Sequence, residues 1–252
     1  MLRVGFSVSK SILFASIAAL MIGPARSADW SPATPSPQII DDWIVSVDAS
    51  TTGSTSKSYF TEAGATAAIP GSLSTSGARL RVEALAGTYE YLSATNMQIH
   101  GQQIEAAVLG GYEWVGPRSK FAVYLGGMAL NTALSRPDPH NSANGASLGL
   151  KGAVDYYARP SERTMVSAFG AFATNDSQFF TRLRVGYMLP GGVYIGPESA
   201  FMGNNTYALW QVGAFLTGAQ FGPVQGGLSI GYQQDRDQKS GLYGSADLRV
   251  LF

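Results

Sequence analysis

Apolar and polar residues alternate with a period of two along most of this chain, and the last twelve positions, Gly241 to Phe252, show the pattern at its clearest. Leu242, Gly244, Ala246, Leu248, Val250 and Phe252 fall on one side, and Tyr243, Ser245, Asp247, Arg249 and Leu251 on the other. Successive side chains of a strand point to opposite faces, so this stretch predicts a strand with one apolar and one partly charged face. An edge strand of a soluble sandwich is the ordinary alternative. A terminal Phe suits it poorly, because chain ends fray and an exposed ring there is costly. In an outer-membrane barrel the last strand pairs with the first and removes both open edges.

The same period recurs upstream. Leu80, Val82, Ala84 and Ala86 oppose Arg79, Arg81 and Glu83, and Ile104, Ala106, Val108, Tyr112 and Trp114 oppose Gln103, Glu105 and Glu113. Phe121, Val123 and Leu125 open the next run. Leu150, Val154 and Tyr156 then face away from Lys151 and Asp155, and Thr181, Leu183, Val185 and Tyr187 from Arg182 and Arg184. Trp210, Val212 and Ala214 oppose Gln211, Gly213 and Thr217; Leu228, Ile230 and Tyr232 oppose Ser229, Gln233 and Asp235. Segments 43–50, 58–68 and 165–174 carry small or apolar residues on both faces, and Val193 to Gly203 completes the set. A helix would scatter these charges round its circumference.

The runs total about twelve strands, the even number that bacterial single-chain barrels require, and each is long enough to cross a thin apolar band when tilted. Turn residues support this. Connections holding Pro70, Pro117, Pro160, Pro190 and Pro223 alternate with polar ones, and only Pro137 and Pro139 depart from the rule. In a barrel the first set is the short periplasmic turns and the second the outer loops. The expected fold is all-β, a single transmembrane antiparallel up-and-down barrel over residues 43–252. Tyr112, Trp114, Phe121, Tyr156, Tyr187, Phe221 and Phe252 are expected as a periplasmic aromatic girdle, and Phe179, Tyr207, Tyr232 and Tyr243 nearer the outer one.

Met1 to Ala28 reads as a secretory signal. Arg3 and Lys10 precede a short apolar run from Ser11 to Gly23, and Ala25 and Ser27 supply small residues for cleavage after residue 27 or one residue later. Residues 28–42, rich in Pro and Ser without periodicity, are expected as a flexible periplasmic leader. Later runs are too short and too interrupted to form a transmembrane helix. Composition sharpens the picture: 30 Gly, 13% charged and 11% aromatic residues suit closely packed strands facing lipid. A net charge of +0 argues against nucleic acid, and the absence of Cys removes disulfides and thiolate metal sites.

The charged face gathers Arg79, Arg81, Glu83, Glu105, Lys151, Asp155, Arg182, Arg184, Glu198 and Arg249, the candidates for lining a lumen, together with Glu113, Asp235 and Asp247. Charges of both signs can pair as a filler that holds a barrel round. They can also form a constriction for a hydrophilic solute, with the arginines as donors to hydroxyls and anions. Catalytic groupings are weak. His140 and Ser142 share a parity but stand beside Pro137 and Pro139 in a long loop, and Asp235 and Asp237 read as solvated loop charges. No catalytic residue, metal or cofactor is assigned. Pro197 interrupts a strand, and a bulge at Gly196 to Glu198 aiming Glu198 inward is the expected remedy.

Gly110-Gly111-Tyr112-Glu113-Trp114 before Gly116-Pro117, Tyr194-Ile195-Gly196-Pro197-Glu198, Gln211-Val212-Gly213-Ala214 and Gly241-Leu242-Tyr243-Gly244 together resemble the cellulose-biosynthesis protein BcsS family, from about residue 43 to the end. The resemblance implies a non-enzymatic outer-membrane barrel in a Gram-negative bacterium that assists cellulose biosynthesis, export or assembly at the cell surface. Its partners would be outer-membrane lipid, and cellulose or other components of cellulose export. A porin-like channel for small hydrophilic solutes and a structural or adhesin barrel are the competing readings.

Overall fold

The structure is a computed structural model that describes residues 43–252 apart from 94–96, 139–140, 142–143, 206, 222–223 and 237–238. The expected signal and leader, His140, Ser142, Pro139, Pro223 and Asp237 lie outside the described residues, as does the side chain of Phe221.

Twelve strands form one closed antiparallel barrel: β1 (Val45–Ser54), β2 (Tyr59–Ala68), β3 (Gly77–Leu92), β4 (Gln98–Val115), β5 (Ser119–Leu134), β6 (Gly145–Ala158), β7 (Thr164–Ala173), β8 (Gln178–Met188), β9 (Tyr194–Gly203), β10 (Ala208–Phe221), β11 (Val224–Asp235) and β12 (Ser240–Leu251). Each strand pairs with its sequence neighbours, and β12 closes on β1 from Ser46↔Leu251 to Ser54↔Tyr243. Closure gives every strand a partner on both sides and leaves no edge strand, the condition for β structure to stand in lipid.

Alternation decides which side chain faces which medium. Leu125 (66% exposed), Ile230 (66%) and Leu148 (86%) point outward with the other large apolar side chains of their faces. Charged members of the same strands point inward, and Arg79, Glu83, Glu105 and Glu198 are buried. The outside is therefore an apolar band, and the fold is a transmembrane β-barrel of the outer-membrane type. Both described chain ends and the turns holding Pro70, Pro117, Pro160 and Pro190 lie at one end, here the turn end; the β1–β2, β3–β4, β5–β6, β7–β8, β9–β10 and β11–β12 connections lie at the other, the loop end. Tyr112, Trp114 and Phe121 pack together outside the turn end, with ring centroids 4.9 and 5.5 Å apart along the series. Tyr156, Tyr187 and Phe252 are exposed there too.

Two expectations need correction. Tyr243 is not in the outer girdle: it occupies an inward position of β12, is 3% exposed, and donates its hydroxyl to Glu198 at 2.8 Å. Nor is there a bulge at Pro197. Pro197 stays in register with Ala214 of β10, and towards β8 the rungs opposite Gly196 and Pro197 are simply missing between Arg184↔Glu198 and Tyr187↔Ile195. Proline lacks the N–H for such a rung, but the residue spacing is preserved, so parity alone turns Glu198 inward. A register shift does occur at Thr217/Ala219, where Gly218 has a φ of +87° that other residues rarely adopt.

The interior is not uniformly polar. Leu109, Tyr124, Met128 and Leu130 pack with Ala107, Ala122, Ala153 and Ala173 as a buried apolar wall on β4 to β7, extended by Phe169 and Ala171. Met165, Tyr194 and Phe215 form a second apolar cluster with Tyr157 and Met188 nearer the turn end. These inward apolar residues explain why alternation fades in segment 165–174, which forms β7.

Candidate functional site: the charged barrel interior

Strand parity brings the lumen candidates onto the inner wall, where they form three groups. In the first, Arg81 on β3 holds Asp48 of β1 through both terminal nitrogens at 3.0 Å, Thr66 Oγ1 of β2 at 2.9 Å, and Glu83 through Nε at 2.6 Å. Lys151 of β6 reaches across the interior to Glu83 and Glu105, each at 2.7 Å. Glu83 is thus shared between two cations, and the network ties β1, β2, β3, β4 and β6 together.

The second group lies on the opposite wall. Arg184 of β8 contacts Glu198 of β9 at 2.7 Å, Asp247 of β12 at 3.0 Å and Ser229 Oγ of β11 at 3.0 Å. Its guanidinium also sits 5.2 Å above the ring of Phe215. Arg182 approaches Asp247 at 3.8 Å and covers the face of Phe180 at 5.2 Å. Gln211 donates to Gln233 at 3.0 Å, and Gln233 to Ser56 Oγ at 2.7 Å, continuing this polar seam towards the loop end.

The third group secures the turn end. The side chain of Arg79 is 0% exposed and contacts Glu113 at 3.4 Å. It also donates to the carbonyls of Ser72 and Thr75 at 3.3 and 2.5 Å. Lys120 donates to the carbonyl of Leu73 at 2.9 Å and lies 3.6 Å from Glu113. The β2–β3 turn is thereby drawn in under the barrel, with Ser72 and Leu73 buried. Arg79 is consequently a fastener of backbone rather than a free lumen donor.

Between these groups lies a cavity of about 500 Å³, within the size range of small-molecule sites. Asp48, Glu62 and Arg81 border it on one side, Arg182, Arg184 and Asp247 on the other, and Tyr157, Met165 and Tyr194 below. Asp155 and Arg249 also face it, and Leu73, Gly191 and Gly192 bring its lining to the turn end. Glu83, Glu105, Lys151 and Glu198 are outside the lining, and their ion pairs fix Arg81, Arg184 and the strands that carry them. Among the described residues no group of three or more His, Cys, Asp or Glu is arranged to hold a metal.

Sequence reasoning missed Asp48, the bidentate partner of Arg81, and Glu62. Both could have been found, since Ser46, Asp48 and Ser50 share a parity, as do Glu62 and Thr66. Tyr243 as a partner of Glu198 needed the closed register.

The chain is similar in fold to the KdgM porin, at TM-score 0.47 and 9% identity over 82% of this chain and 99% of that one. It is likewise similar to the Pseudomonas putida toluene transporter TodX, at 0.44 and 8% over 88% and 92%. A bacterial polysaccharide outer membrane secretin matches at 0.38 and 9% over 83% and 98%. No curated protein matches the sequence. The family model described as cellulose biosynthesis protein BcsS matches residues 50–252, all of the barrel but the start of β1, and the chain belongs to that family.

Proposed function

We propose that this protein is a non-enzymatic barrel of the Gram-negative outer membrane that assists cellulose export or assembly at the cell surface. Its turn end would face the periplasm and its loop end the exterior. The observation that carries the reading is the family match over residues 50–252, joined to a closed barrel with an apolar exterior. Its interior chemistry is compatible with a glucan. The cavity carries guanidinium and carboxylate groups in near balance, which suits a neutral polyhydroxylated chain better than an anionic one. Ion pairs and apolar clusters stand inside the lumen beside the cavity. That filling favours contact with a glucan over unselective passage of small solutes.

Deleting the gene in a cellulose-producing strain should lower or misplace extracellular cellulose, measured by dye binding and by acid-resistant glucan, while growth on small nutrients stays near normal. Unchanged cellulose would overturn the proposal. Impaired nutrient uptake with intact cellulose would support a porin instead.

A further inference from the structure

Above the cavity, towards the loop end, three inward rings follow one another along the wall: Phe60 of β2, then Tyr89 and Tyr91 of β3. Phe60 and Tyr89 have centroids 6.5 Å apart with planes only 11° from parallel. Tyr89 and Tyr91 are 6.1 Å apart at 28°. Glycines explain why the rings lie this way. Phe60 is paired with Gly87, and Tyr89 with Gly101. A Cβ at Gly87 would run into the Phe60 ring, and one at Gly101 into the Tyr89 ring. Each ring therefore lies flat over a bare stretch of the neighbouring strand and turns its other face to the lumen. The far end is fixed by the β5–β6 connection: Tyr91 donates to Asp138 at 3.0 Å and accepts from Asn141 at 2.9 Å.

We infer that Phe60, Tyr89 and Tyr91 form a stacking subsite for the sugar rings of a neutral β-linked glucan, leading from the central cavity to the loop-end mouth. Flat rings in near-parallel series along one wall are what the apolar C–H faces of successive pyranose units stack against. The flanking chemistry fits. Thr52 and Gln103 stand beside the Phe60–Gly87 pair, with Ser50 and Glu62 one step below. Hydroxyl, carboxamide and carboxylate groups there can bond the rim hydroxyls of a sugar, and these inward neighbours include no arginine to favour a uronate. Ser50 and Glu62 also border the cavity, so the two surfaces are continuous.

The inference rests on the cellulose reading but can fail separately from it. Titration of the folded full-length protein in detergent with cellohexaose should show saturable binding. Phe60→Ala and Tyr89→Ala should each weaken it about tenfold, the size expected when one stacked ring and its buried area are lost. Tyr89→Phe should retain it, because the face and not the hydroxyl does the stacking. Unheated gel mobility would confirm that each variant is folded. Absent binding in the unaltered protein, unaffected binding in the alanine variants, or tighter binding of oligogalacturonate than of cellohexaose would overturn the subsite. If the rings prove necessary for cellohexaose binding while gene deletion leaves cellulose unchanged, the subsite stands and the cellulose function falls. If deletion abolishes cellulose but binding does not depend on the rings, the function stands and the subsite falls.

Discussion

Arg184 shows how much of the interior depends on single side chains. Its side chain is 12% exposed and faces two carboxylates, Glu198 at 2.7 Å and Asp247 at 3.0 Å, on different strands. Taking these charges out of water is costly, and only the close pairing with further hydrogen bonds offsets the cost. Ser229 and Tyr243 supply those bonds. Arg184→Met should therefore cost about 3–5 kcal/mol, because it leaves buried acids without their cation. The triple change Arg184→Met, Glu198→Gln, Asp247→Asn should regain most of that loss. Urea unfolding of the refolded barrel in detergent measures both, and an equal loss in the two would show that packing, not charge, sets the penalty. Glycine acts at the same scale by absence of a side chain. Gly111 makes room for the ring of Tyr124, and Gly213 and Gly231 for Tyr243, as Gly87 and Gly101 do for the ring series.

At the level of elements, the hairpin order was legible because turn chemistry and alternation point the same way. Pro70, Pro117, Pro160 and Pro190 fall in the turns between β2 and β3, β4 and β5, β6 and β7, and β8 and β9. That alternation places the 135–144 connection and the Gly191–Gly192 turn at opposite ends of the barrel. A protease-sensitive tag inserted after Pro137 should be cut on intact cells, and the same tag between Gly191 and Gly192 should be cut only after the outer membrane is opened. The reverse pattern would invert the orientation. What the sequence could not show is what depends on register. β3 runs to Leu92, as its alternation predicts almost to the residue, but β4 already begins at Gln98, so this hairpin extends past its neighbour β2 towards the loop end, and the polar start of β4 gave no apolar alternation to read. Likewise Lys151 meets Glu83 across 68 positions of chain, a pairing that exists only once the sheet is closed. Parity placed each charge on the inner face; curvature and register chose its partner.

For the whole molecule, closure and facing make one joint prediction. The β1–β12 ladder is continuous from Ser46↔Leu251 to Ser54↔Tyr243, so no strand can be peeled off without breaking pairs on both its sides. The folded protein should migrate differently on unheated and boiled gels, since detergent reaches the chain only after the whole ladder melts. Ile230 sits in the middle of β11, 66% exposed on the outer face. Ile230→Lys places a charge near mid-depth in lipid, at a cost of about 2–4 kcal/mol, and should reduce the heat-modifiable fraction in reconstituted membranes. Gln225→Lys, on the same strand but facing the cavity, should leave that fraction nearly unchanged. Identical migration before and after boiling would contradict a closed barrel. Greater damage from the Gln225 change would mean that the charged face, rather than the apolar one, meets the lipid.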